Sequence, residues 1–421
     1  MRNFNRTNIF FKKARKIIPL SSQTFSKSYL VYTLGRAPLF IERGEGAYVW
    51  DIDGNKYLDM ISALLPVILG YQYPAVDRAI EKQLKKGIIF SLPSLLEYEL
   101  AKELTKMIPC AQMVRFGKNG SDATAGAVRL ARAVTKKERV AVCGYHGWQD
   151  WYIGVNPRNE GVPKAVKGLV HKFQYNDIQS LEKLFKRYKN EFAAVIMEPM
   201  NLEEPKNNFL EKVKEITHKN KALLIFDEII TGFRFGLGGA QKYFNVIPDL
   251  AAFGKSMANG MPISCVVGKR EYMKKMEDIF FSFTFGGEAL SLAAALATIK
   301  EIKEKKVIQV IWREGSYLER ETQRLIEENR LENVMELKGK PCWQVFKIPD
   351  LVVKSYIQQK LIERGILWTG SHNMSFSHKR KDLNYLIKAY KEIFPSLKNA
   401  IDKGMLKKEI LGKPIQGIYI R

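Results

Sequence analysis

Short apolar runs alternate with longer amphipathic stretches through the middle of the chain. Runs of aliphatic, aromatic or small residues, bounded by charges, glycines or turn residues, predict strands that are buried on both faces of a parallel sheet. These strands are predicted at residues 114–116, 139–143, 193–196, 222–226, 250–253 and 263–268. Elsewhere, apolar positions recur every three or four residues and predict helices, for example at 76–86 and 95–107. The pattern therefore predicts a parallel sheet with helices packed around it.

The two ends of the chain carry a mixed pattern of helices and strands. Residues 8–18 predict a first helix that stops at Pro19, and residues 44–57, GEGAYVWDIDGNKY, predict a hairpin around an Asp-Gly-Asn turn. The C-terminal part combines a predicted strand at 343–348 with helices at 307–329, 354–364 and 381–394. Because 421 residues exceed one ordinary hydrophobic core, we expect two lobes. The predicted division is an N-terminal segment at 1–57, a large domain at 58–303 and a C-terminal small domain at 304–421, with the two terminal segments packing together.

Composition indicates a folded protein without a membrane span. Apolar residues make up 46% of the chain, and the longest uncharged apolar stretch, 60–71, is interrupted by Ser62 and Pro66 and is too short to cross a bilayer. The net charge of +24 raises the question of nucleic-acid binding. However, lysines alternate with glutamates in amphipathic helices such as EKLFKRYKNE, and no basic stripe is interleaved with aromatic residues. We expect neither a nucleic-acid nor a membrane partner; the excess charge fits a lysine-rich composition or attraction of an anionic substrate.

The N-terminal segment, the cysteines and the histidines bear on location and on metal binding. Residues 1–41 contain eight basic residues and no acid, as an organellar presequence would, yet we favour an ordinary first helix at 8–18. The four cysteines are far apart and form no CxxC pair, and the five histidines show no metal-ligand spacing. The sequence thus predicts no disulfide framework, no metal site and a reducing, cytoplasmic location.

Two charged side chains at predicted strand ends carry the candidate chemistry. Asp227 follows the strand at 222–226, and Lys255 follows the strand at 250–253. Ligands of open α/β sheets bind just beyond strand ends, so both side chains could face one crevice. A P-loop nucleotide site is disfavoured, because Gly-Lys-Ser lacks the earlier glycine of that motif and Asp249 stands in its place. Pyridoxal phosphate (PLP) suits both residue types, with Lys255 forming a Schiff base and Asp227 pairing with the protonated ring nitrogen.

Two further turns fit the same cofactor, and each has a plainer explanation. Residues 119–122, Asn-Gly-Ser-Asp, lead into a helix at 123–133, where Ser121 or Asp122 would cap the helix and free N–H groups would form a phosphate cup. Tyr145, within Gly-Tyr-His-Gly at a strand end, could stack on a flat ring. The same residues can also be explained without a ligand. Residues 119–122 could simply cap a helix, Tyr145 could be a core residue, Asp227 and the acid after it could cap a helix, and Lys255 could be a solvated turn residue. The residues alone leave both explanations open.

Seven segments together carry a resemblance to a known family. They read PLFIERGEGAYVWDIDGNKYLD, MVRFGKNGSDATAGAVRLARA, CGYHGW, AAVIMEP, ALLIFDEIITGFRFGLGGAQKYF, PDLAAFGKSMANGMPIS and FTFGGEALSLAAALATI. The chain resembles the class III aminotransferases of PLP fold type I, and among them the glutamate-1-semialdehyde 2,1-aminomutase branch. The similarity extends from Pro19 to about Phe394. It implies a PLP-dependent enzyme with α/β architecture: a large PLP-binding domain on a mostly parallel central sheet flanked by helices, and a smaller α+β domain formed by the N- and C-terminal segments.

The resemblance assigns roles to individual residues. Lys255 matches the Schiff-base lysine and proton shuttle, Asp227 the acid on the pyridine nitrogen, and Tyr145 the aromatic ring stacked on the cofactor. Ile229 would pack on the opposite face of that ring. Thr284 would reach the phosphate bound by the neighbouring subunit, which implies an obligate homodimer. The other implied cofactor contacts are Asn119, Gly120 and Ser121, where relatives usually have Ser-Gly-Thr, together with His146 and Glu203.

The substrate-side residues depart from the aminomutase pattern. Lys27 stands where that branch usually has an arginine for the substrate carboxylate, and Glu203 stands where it usually has an asparagine. Class III transaminases often pair such a glutamate with a C-terminal arginine, but residues 370–378, GSHNMSFSH, contain none, and His372 in that stretch is our candidate substrate contact. The segment after Trp151 is also shorter than the mutase gating loop. We therefore predict a transaminase with a small-molecule amino donor and a less usual carbonyl acceptor, such as a sugar-derived intermediate of surface-polysaccharide synthesis.

Two other functions remain as alternatives. A glutamate-1-semialdehyde 2,1-aminomutase would move the amino group within one molecule and produce 5-aminolevulinate without a separate donor. A non-catalytic basic binding protein could retain the fold and lose turnover, although the intact Lys255 and Asp227 argue against it. Binding to nucleic acid that weakens with salt, in the absence of amino transfer, would support this last function.

Overall fold

The computed structural model describes residues 2–417. They form two compact units, a larger one of residues 74–308 and a smaller one that combines residues 2–73 with 309–417. The division falls after Tyr73 and Ile308, compared with the limits near 57 and 303 that the sequence led us to expect. In the described part of the chain, no helix is long and apolar enough to cross a membrane.

Strands occur in both units. In chain order they are β1 (Ile41–Glu45), β2 (Tyr48–Asp51), β3 (Lys56–Asp59), β4 (Met113–Gly117), β5 (Arg139–Cys143), β6 (Val170–Lys172), β7 (Phe192–Met197), β8 (Leu223–Asp227), β9 (Leu250–Phe253), β10 (Ser264–Gly268), β11 (Glu336–Lys340), β12 (Trp343–Lys347), β13 (Ile366–Leu367) and β14 (Ser371–Asn373).

Helices separate most of these strands. They are α1 (Asn5–Ile17), α2 (Pro74–Leu84), α3 (Leu95–Met107), α4 (Gly120–Thr135), α5 (Asp150–Ile153), α6 (Lys164–Lys167), α7 (Ile178–Arg187), α8 (Phe209–Lys219), α9 (Gly239–Tyr243), α10 (Arg270–Met273), α11 (Ala289–Glu304), α12 (Val307–Glu328), α13 (Leu351–Glu363), α14 (Arg380–Asp402) and α15 (Leu406–Glu409). Short 3₁₀ turns lie at Pro19–Ser21, Phe25–Lys27, Tyr29–Val31, Ser62–Leu64, Lys255–Ala258 and Lys274–Asp278.

A seven-stranded sheet forms the centre of the larger unit, in the order β4-β10-β9-β8-β7-β5-β6. β10 pairs antiparallel with β4 and β9, whereas the other pairings in this sheet are parallel. β7 and β8 are buried along their whole length, as expected for strands covered on both faces. The predicted α/β fold with a mostly parallel central sheet is confirmed. The carboxyl ends of β4, β5, β7, β8 and β9 all lie at one edge of this sheet.

The core of the larger unit lies where α4 covers the sheet. Side chains from α4 and from the strands are buried together, among them Leu130, Val142, Ile196, Ile225 and Val266. Each large aliphatic side chain removed from water in this way contributes about 1.5–3 kcal/mol. The sheet edge described below is therefore supported by a well-buried layer of apolar residues.

The smaller unit contains two sheets, ordered β1-β2-β3-β13 and β11-β12-β14. β2 and β3 pair antiparallel and form the expected hairpin, with β1 added at its edge. β13 pairs parallel with β3 through Ile366 and Leu58. The first 73 residues and the C-terminal part of the chain are therefore joined by direct strand pairing.

A left-handed turn without glycine follows β3. The residues Ser62, Ala63, Leu64 and Leu65 have φ values of 47°, 53°, 72° and 87°. For residues with a Cβ this conformation costs about 1–2 kcal/mol each, so the surroundings must stabilise it. Asp59 accepts the N–H of Ile61 at 2.8 Å, and the Ser62 hydroxyl donates to the carbonyl of Asn373 at 2.7 Å. The turn depends on contacts that are distant in sequence.

Candidate active site

Asp227 and Lys255 come from neighbouring parallel strands of the larger unit. Asp227 is the last residue of β8 and pairs with Ala252 of β9, and Lys255 lies two residues after β9 ends. The N–H of Glu228 donates to the carbonyl of Ala252 at 2.9 Å, which holds the two strand ends together. Neighbouring strands lie about 4.8 Å apart. The two residues therefore begin from adjacent positions at the carboxyl edge of the sheet.

Lys255 has an unusual backbone conformation. Its φ of 39° lies in the left-handed region, and it is the first residue of the 3₁₀ turn Lys255–Ala258. Such a residue costs about 1–3 kcal/mol and is often retained at functional sites. The next residues, Ser256 and Met257, are buried, so the turn is packed firmly against the unit. This packing fixes the starting point of the Lys255 side chain.

Asp227 is 5% exposed, and each of its oxygens has a partner. Oδ2 lies 2.8 Å from Nδ1 of His146, and Oδ1 accepts the N–H of Ile229 at 3.1 Å. His146 is also buried, and its Nε2 has no hydrogen-bond partner anywhere in residues 2–417. A buried polar atom left unpaired costs about 1–3 kcal/mol. This nitrogen is therefore suited to a partner that the chain itself does not supply.

The Asn-Gly-Ser turn lies at the same edge, where β4 leads into α4. Asn119 caps the helix, because its Oδ1 accepts the N–H of Asp122 at 3.2 Å, while Asp122 Oδ2 accepts the N–H of Asn119 at 2.9 Å. The expectation that Ser121 or Asp122 would be the cap was wrong. Asn119 takes that place because its backbone is still extended, with φ of −130°, and its side chain reaches the first turn.

This turn leaves hydrogen-bond donors for an anion. The N–H groups of Gly120 and Ser121 lie in the first turn of α4, where a helix offers no acceptor, and they donate to no other group in the described chain. Ser264 Oγ donates to the carbonyl of Asn119 at 2.7 Å and steadies the turn from the adjacent strand. Free N–H groups at a helix N-terminus attract phosphate. The geometry thus agrees with the predicted phosphate cup.

The segment after β5 is held against this turn. Thr124 Oγ1 donates to the carbonyl of His146 at 2.7 Å, and the N–H of Trp148 donates to Ser121 Oγ at 3.3 Å. Tyr145 packs edge-on against Tyr152, with ring centroids 5.7 Å apart, and remains partly exposed. Its ring can therefore offer a surface to a ligand.

Ile229 connects the separate parts of the site. Its side chain lies against two glycine backbones, so that a Cβ added at Gly120 would be 3.2 Å from it and a Cβ added at Gly254 would be 3.1 Å from it. Gly254 immediately precedes Lys255. The structure therefore brings Ile229, the turn at residues 119–121 and the backbone next to Lys255 into one cluster.

Two other predicted residues lie in exposed segments of the larger unit. Glu203 is in the segment between β7 and α8, and Thr284 is in the loop before α11. The N–H of Ala289 donates to the carbonyl of Ile88 at 2.8 Å, which places the loop that carries Thr284 next to another exposed segment.

The candidate substrate residues Lys27 and His372 belong to the smaller unit. Lys27 is exposed in the 3₁₀ turn Phe25–Lys27. His372 is fully buried in β14, with Nδ1 2.8 Å from Gln344 Oε1 and Nε2 2.8 Å from the hydroxyl of Tyr390. Burial lowers the pKa of His372 to about 3, so the ring is neutral. With both nitrogens already paired, this side chain is built to stabilise the unit and has no ring nitrogen left for a substrate.

The described residues hold no group of three or more histidine, cysteine or acidic side chains that could bind a metal ion. The four cysteines lie within the described residues, form no disulfide there and are buried. Burial raises the pKa of Cys110 and of Cys143 to about 12. These thiols are therefore protonated near neutral pH, and we assign them no chemistry.

Comparison with known proteins gives consistent matches over most of the chain. A family model described as aminotransferase class-III matches residues 32–380. The 3-aminobutyryl-CoA aminotransferase of Cloacimonas acidaminovorans is 34% identical over 413 residues, which cover 94% of this chain and 98% of that protein. The glutamate-1-semialdehyde 2,1-aminomutase of Desulforamulus reducens is 36% identical over 327 residues, which cover 73% of this chain and 75% of that protein.

Solved structures share the fold. The PLP form of the FumI protein from Sphingopyxis sp. MTA144 matches with a TM-score of 0.87 and 26% identity, over 93% of this chain and 96% of that one. A glutamate-1-semialdehyde aminomutase from Pseudomonas aeruginosa, solved with the amine form of the cofactor, matches with a TM-score of 0.82 and 21% identity, over 93% and 95% of the two chains. The second likeness concerns the fold alone.

Proposed function

Because this chain belongs to the class III aminotransferases, a family of PLP-dependent enzymes, we propose that Lys255 carries the cofactor and that Asp227 tunes it. The enzyme transfers an amino group between a small-molecule donor and a carbonyl acceptor. The observation that carries the residue assignment is the placement of Asp227 and Lys255 at the ends of adjacent parallel strands. The unpaired Nε2 of His146 and the free N–H groups of Gly120 and Ser121 support it.

The residues at this edge fit PLP. When bound, PLP supplies an electron sink that stabilises negative charge on the substrate carbon. Gly120 and Ser121 would donate their N–H groups to its phosphate, and Tyr145 and Ile229 would pack on the two faces of its ring. Asp227 would hold the ring nitrogen protonated, since an opposite charge within about 4–6 Å favours the charged form. The His146 N–H keeps the Asp227 carboxylate in position.

Lys255 has two roles in this proposal. Its amine would attach the cofactor and, once displaced by the amino donor, would move a proton between the substrate carbon and the cofactor carbon. The strained, buried turn that begins at Lys255 limits the positions its amine can take. A tethered base of this kind acts at a high effective concentration.

Replacing Lys255 by alanine tests the assignment. The wild-type protein mixed with PLP should show a visible absorbance band, and borohydride reduction should place the cofactor mass on the peptide that contains Lys255. Lys255→Ala should show neither result, while Lys269→Ala, which alters another lysine of the same unit, should retain both. A cofactor mass on a different lysine would refute the assignment.

The second part of our proposal concerns the carbonyl substrate that accepts the amino group. An α-carboxylate clamp is not evident, because residues 370–378 contain no arginine to pair with Glu203, and His372 is fully committed to the core. This supports a carbonyl acceptor without an ordinary α-carboxylate, such as a sugar-derived intermediate of surface-polysaccharide synthesis. The match to the 3-aminobutyryl-CoA aminotransferase, which covers 94% of this chain and 98% of that protein at 34% identity, favours a second candidate, an acyl-CoA with a β-carbonyl group. The net charge of +24 would attract either anionic compound.

A substrate panel separates these candidates from the alternatives. The amine form of the enzyme should be incubated with a nucleotide-linked keto sugar, with a β-ketoacyl-CoA and with glutamate-1-semialdehyde, and the product should be identified by mass spectrometry. Amination of the sugar supports the first candidate, and amination of the thioester supports the second. Release of 5-aminolevulinate supports an aminomutase. Salt-sensitive binding to nucleic acid without amino transfer to any acceptor would support a binding protein.

We also propose a homodimer in which Thr284 reaches the partner's cofactor phosphate. Next to the loop of Thr284 lies an apolar patch with side chains that are 40–79% exposed: Ile88, Ile89, Phe90, Leu92 and Leu95. Contiguous exposed apolar side chains often mark a protein interface. Leu92→Asp with Leu95→Asp should shift the protein from dimer to monomer in light scattering and weaken PLP binding. Leu411→Asp, an exposed leucine of the smaller unit, is the control, and a double variant that stays dimeric contradicts the proposed surface.

A further inference from the structure

The backbone of Tyr145 is hydrogen-bonded to a buried acid, Glu198, which has no role in the proposed function. Glu198 follows β7 and is 5% exposed. Its N–H donates to the carbonyl of Cys143 at 3.1 Å, which ties it to the end of β5. Its Oε2 accepts the N–H of Tyr145 at 3.1 Å and the side-chain N–H of Asn201 at 3.0 Å. The carboxylate therefore lies directly beneath the backbone of the proposed stacking residue.

The backbone next to Tyr145 is shaped to receive this carboxylate. Gly144 has φ of +111°, and a Cβ added there would lie 2.5 Å from Glu198 Oε2. A residue with a side chain would therefore clash with Glu198 as well as adopt a disfavoured conformation. The Tyr152 hydroxyl donates to the carbonyl of Gly144 at 2.7 Å and fixes the same peptide from another side. The position of Tyr145 is thus set by contacts on its backbone.

On the basis of the proposed function, we infer that Glu198 is a positioning residue. Its hydrogen bond to the backbone of Tyr145 holds the Tyr145 ring where it can cover one face of PLP. The hydrogen bond from Asn201 extends this role. It connects the carboxylate to residues 201–207, the exposed segment that contains Glu203. Glu198 therefore connects that segment to the backbone of Tyr145.

Cofactor binding and visible circular dichroism test this role. The dissociation constant for PLP should be measured by titrating the cofactor-free protein, and Glu198→Ala should raise it about tenfold, the effect of losing hydrogen bonds to a buried carboxylate. The circular dichroism of bound PLP should weaken, since it depends on how the ring is held. Glu198→Gln keeps a carbonyl oxygen for both donors and should stay within about threefold of the wild type. Glu211→Ala, an exposed acid of α8, should change neither reading.

A double-mutant cycle shows whether Glu198 acts through Tyr145. In a Tyr145→Ala background, Glu198→Ala should change PLP affinity less than about twofold, because no ring remains to be positioned. A full tenfold loss in that background would overturn the inference, as would unchanged affinity and dichroism in Glu198→Ala alone. If Glu198→Ala does not fold, Asn201→Ala provides the second test and should lower the dichroism partially. A wild-type protein that binds no PLP would refute the proposed function itself, which is a different result.

Discussion

Two buried histidines show how the two units use the same side chain differently. In the smaller unit, His372 has a partner on both ring nitrogens, Gln344 and Tyr390. In the larger unit, His146 has Asp227 on one nitrogen and no partner on the other within residues 2–417. An unpaired buried nitrogen is costly, so it is retained where something outside the chain pairs with it. The comparison indicates a structural role for His372 and supports our proposal that His146 belongs to the cofactor site.

Their places in the sheets agree with this division. His372 lies within β14, directly opposite Gln344 of β12, so its neighbours are fixed by strand pairing. His146 lies beyond the end of β5, at the edge where β7, β8 and β9 also end. Strand ends of open α/β sheets bind ligands, whereas strand interiors are packed.

Removing the paired histidine should have the largest effect on stability. His372→Ala leaves Gln344 Oε1 and the Tyr390 hydroxyl without partners, and each buried unpaired group costs about 1–3 kcal/mol, so the loss should total about 2–6 kcal/mol. Urea unfolding followed by tryptophan fluorescence measures it. His146→Ala is the matched control: it leaves one buried atom, Asp227 Oδ2, without its partner, so it should lower stability less and should also weaken PLP binding. Equal destabilisation by both variants would end the distinction between the two histidines.

Asp227→Ala should have the next largest effect, on catalysis. A nearby opposite charge shifts a pKa by about 1–3 units, so loss of the carboxylate should reduce amino transfer about 10- to 1000-fold with the better of the candidate substrates. Single-turnover kinetics should be compared with those of Asp249→Ala, which removes another buried acid of the same unit. Asp249→Ala should affect stability, because Asp249 pairs with His218 and Lys269, and should spare the reaction step. A normal rate in Asp227→Ala would contradict its assigned role.

Local patterns predicted much of this architecture. The predicted strands at 139–143 and 250–253 coincide with β5 and β9, and the helix at 95–107 coincides with α3, because short apolar runs and helical periodicity are local signals. The same signals placed Asp227 and Lys255 at strand ends. The seven segments that resemble the class III aminotransferases then indicated that the cofactor is PLP.

Long-range contacts account for what the sequence could not show. His372 was assigned to the substrate, but its partners lie 28 and 18 residues away, and only folding reveals that both ring nitrogens are satisfied. The left-handed turn at Ser62–Leu65 contains no glycine, so its conformation has no local signal. Glu198 lies two residues after the predicted strand at 193–196, within the AAVIMEP segment, but nothing in that segment indicates its contact with Tyr145. Its bond to the N–H of Tyr145 joins residues 53 positions apart.

Acid should destabilise the smaller unit through His372, by an amount that grows as the pH falls below 6.5. Burial lowers its pKa to about 3 in the folded chain, from about 6.5 in the unfolded chain. Below pH 6.5 the unfolded chain therefore binds a proton that the folded chain does not. The stability from this residue is complete above pH 6.5 and is lost as the pH falls towards 3, by about 1.4 kcal/mol per unit. Calorimetry between pH 7 and 4 should show a flatter slope for His372→Gln, and identical slopes would contradict the assignment.

The smallest expected effect separates binding from stability within the ligand site. Gly120→Ala adds a methyl group 3.2 Å from the Ile229 side chain, which must shift by a few tenths of an ångström. Alanine is a better helix former than glycine, by up to about 1 kcal/mol, so this gain should offset the crowding and leave the unfolding midpoint nearly unchanged. PLP affinity should still fall, by about two- to fivefold, because the proposed packing of Ile229 on the ring would be disturbed. A Gly120→Ala, Ile229→Val double variant removes Cδ1, one of the three Ile229 carbon atoms that crowd the new methyl group, and should recover part of the affinity. If PLP affinity does not change in Gly120→Ala, then Ile229 and the turn at residues 119–121 do not contact the same ligand. The unpaired nitrogen of His146, compared with the paired nitrogens of His372, would then need an explanation other than a bound cofactor at this site.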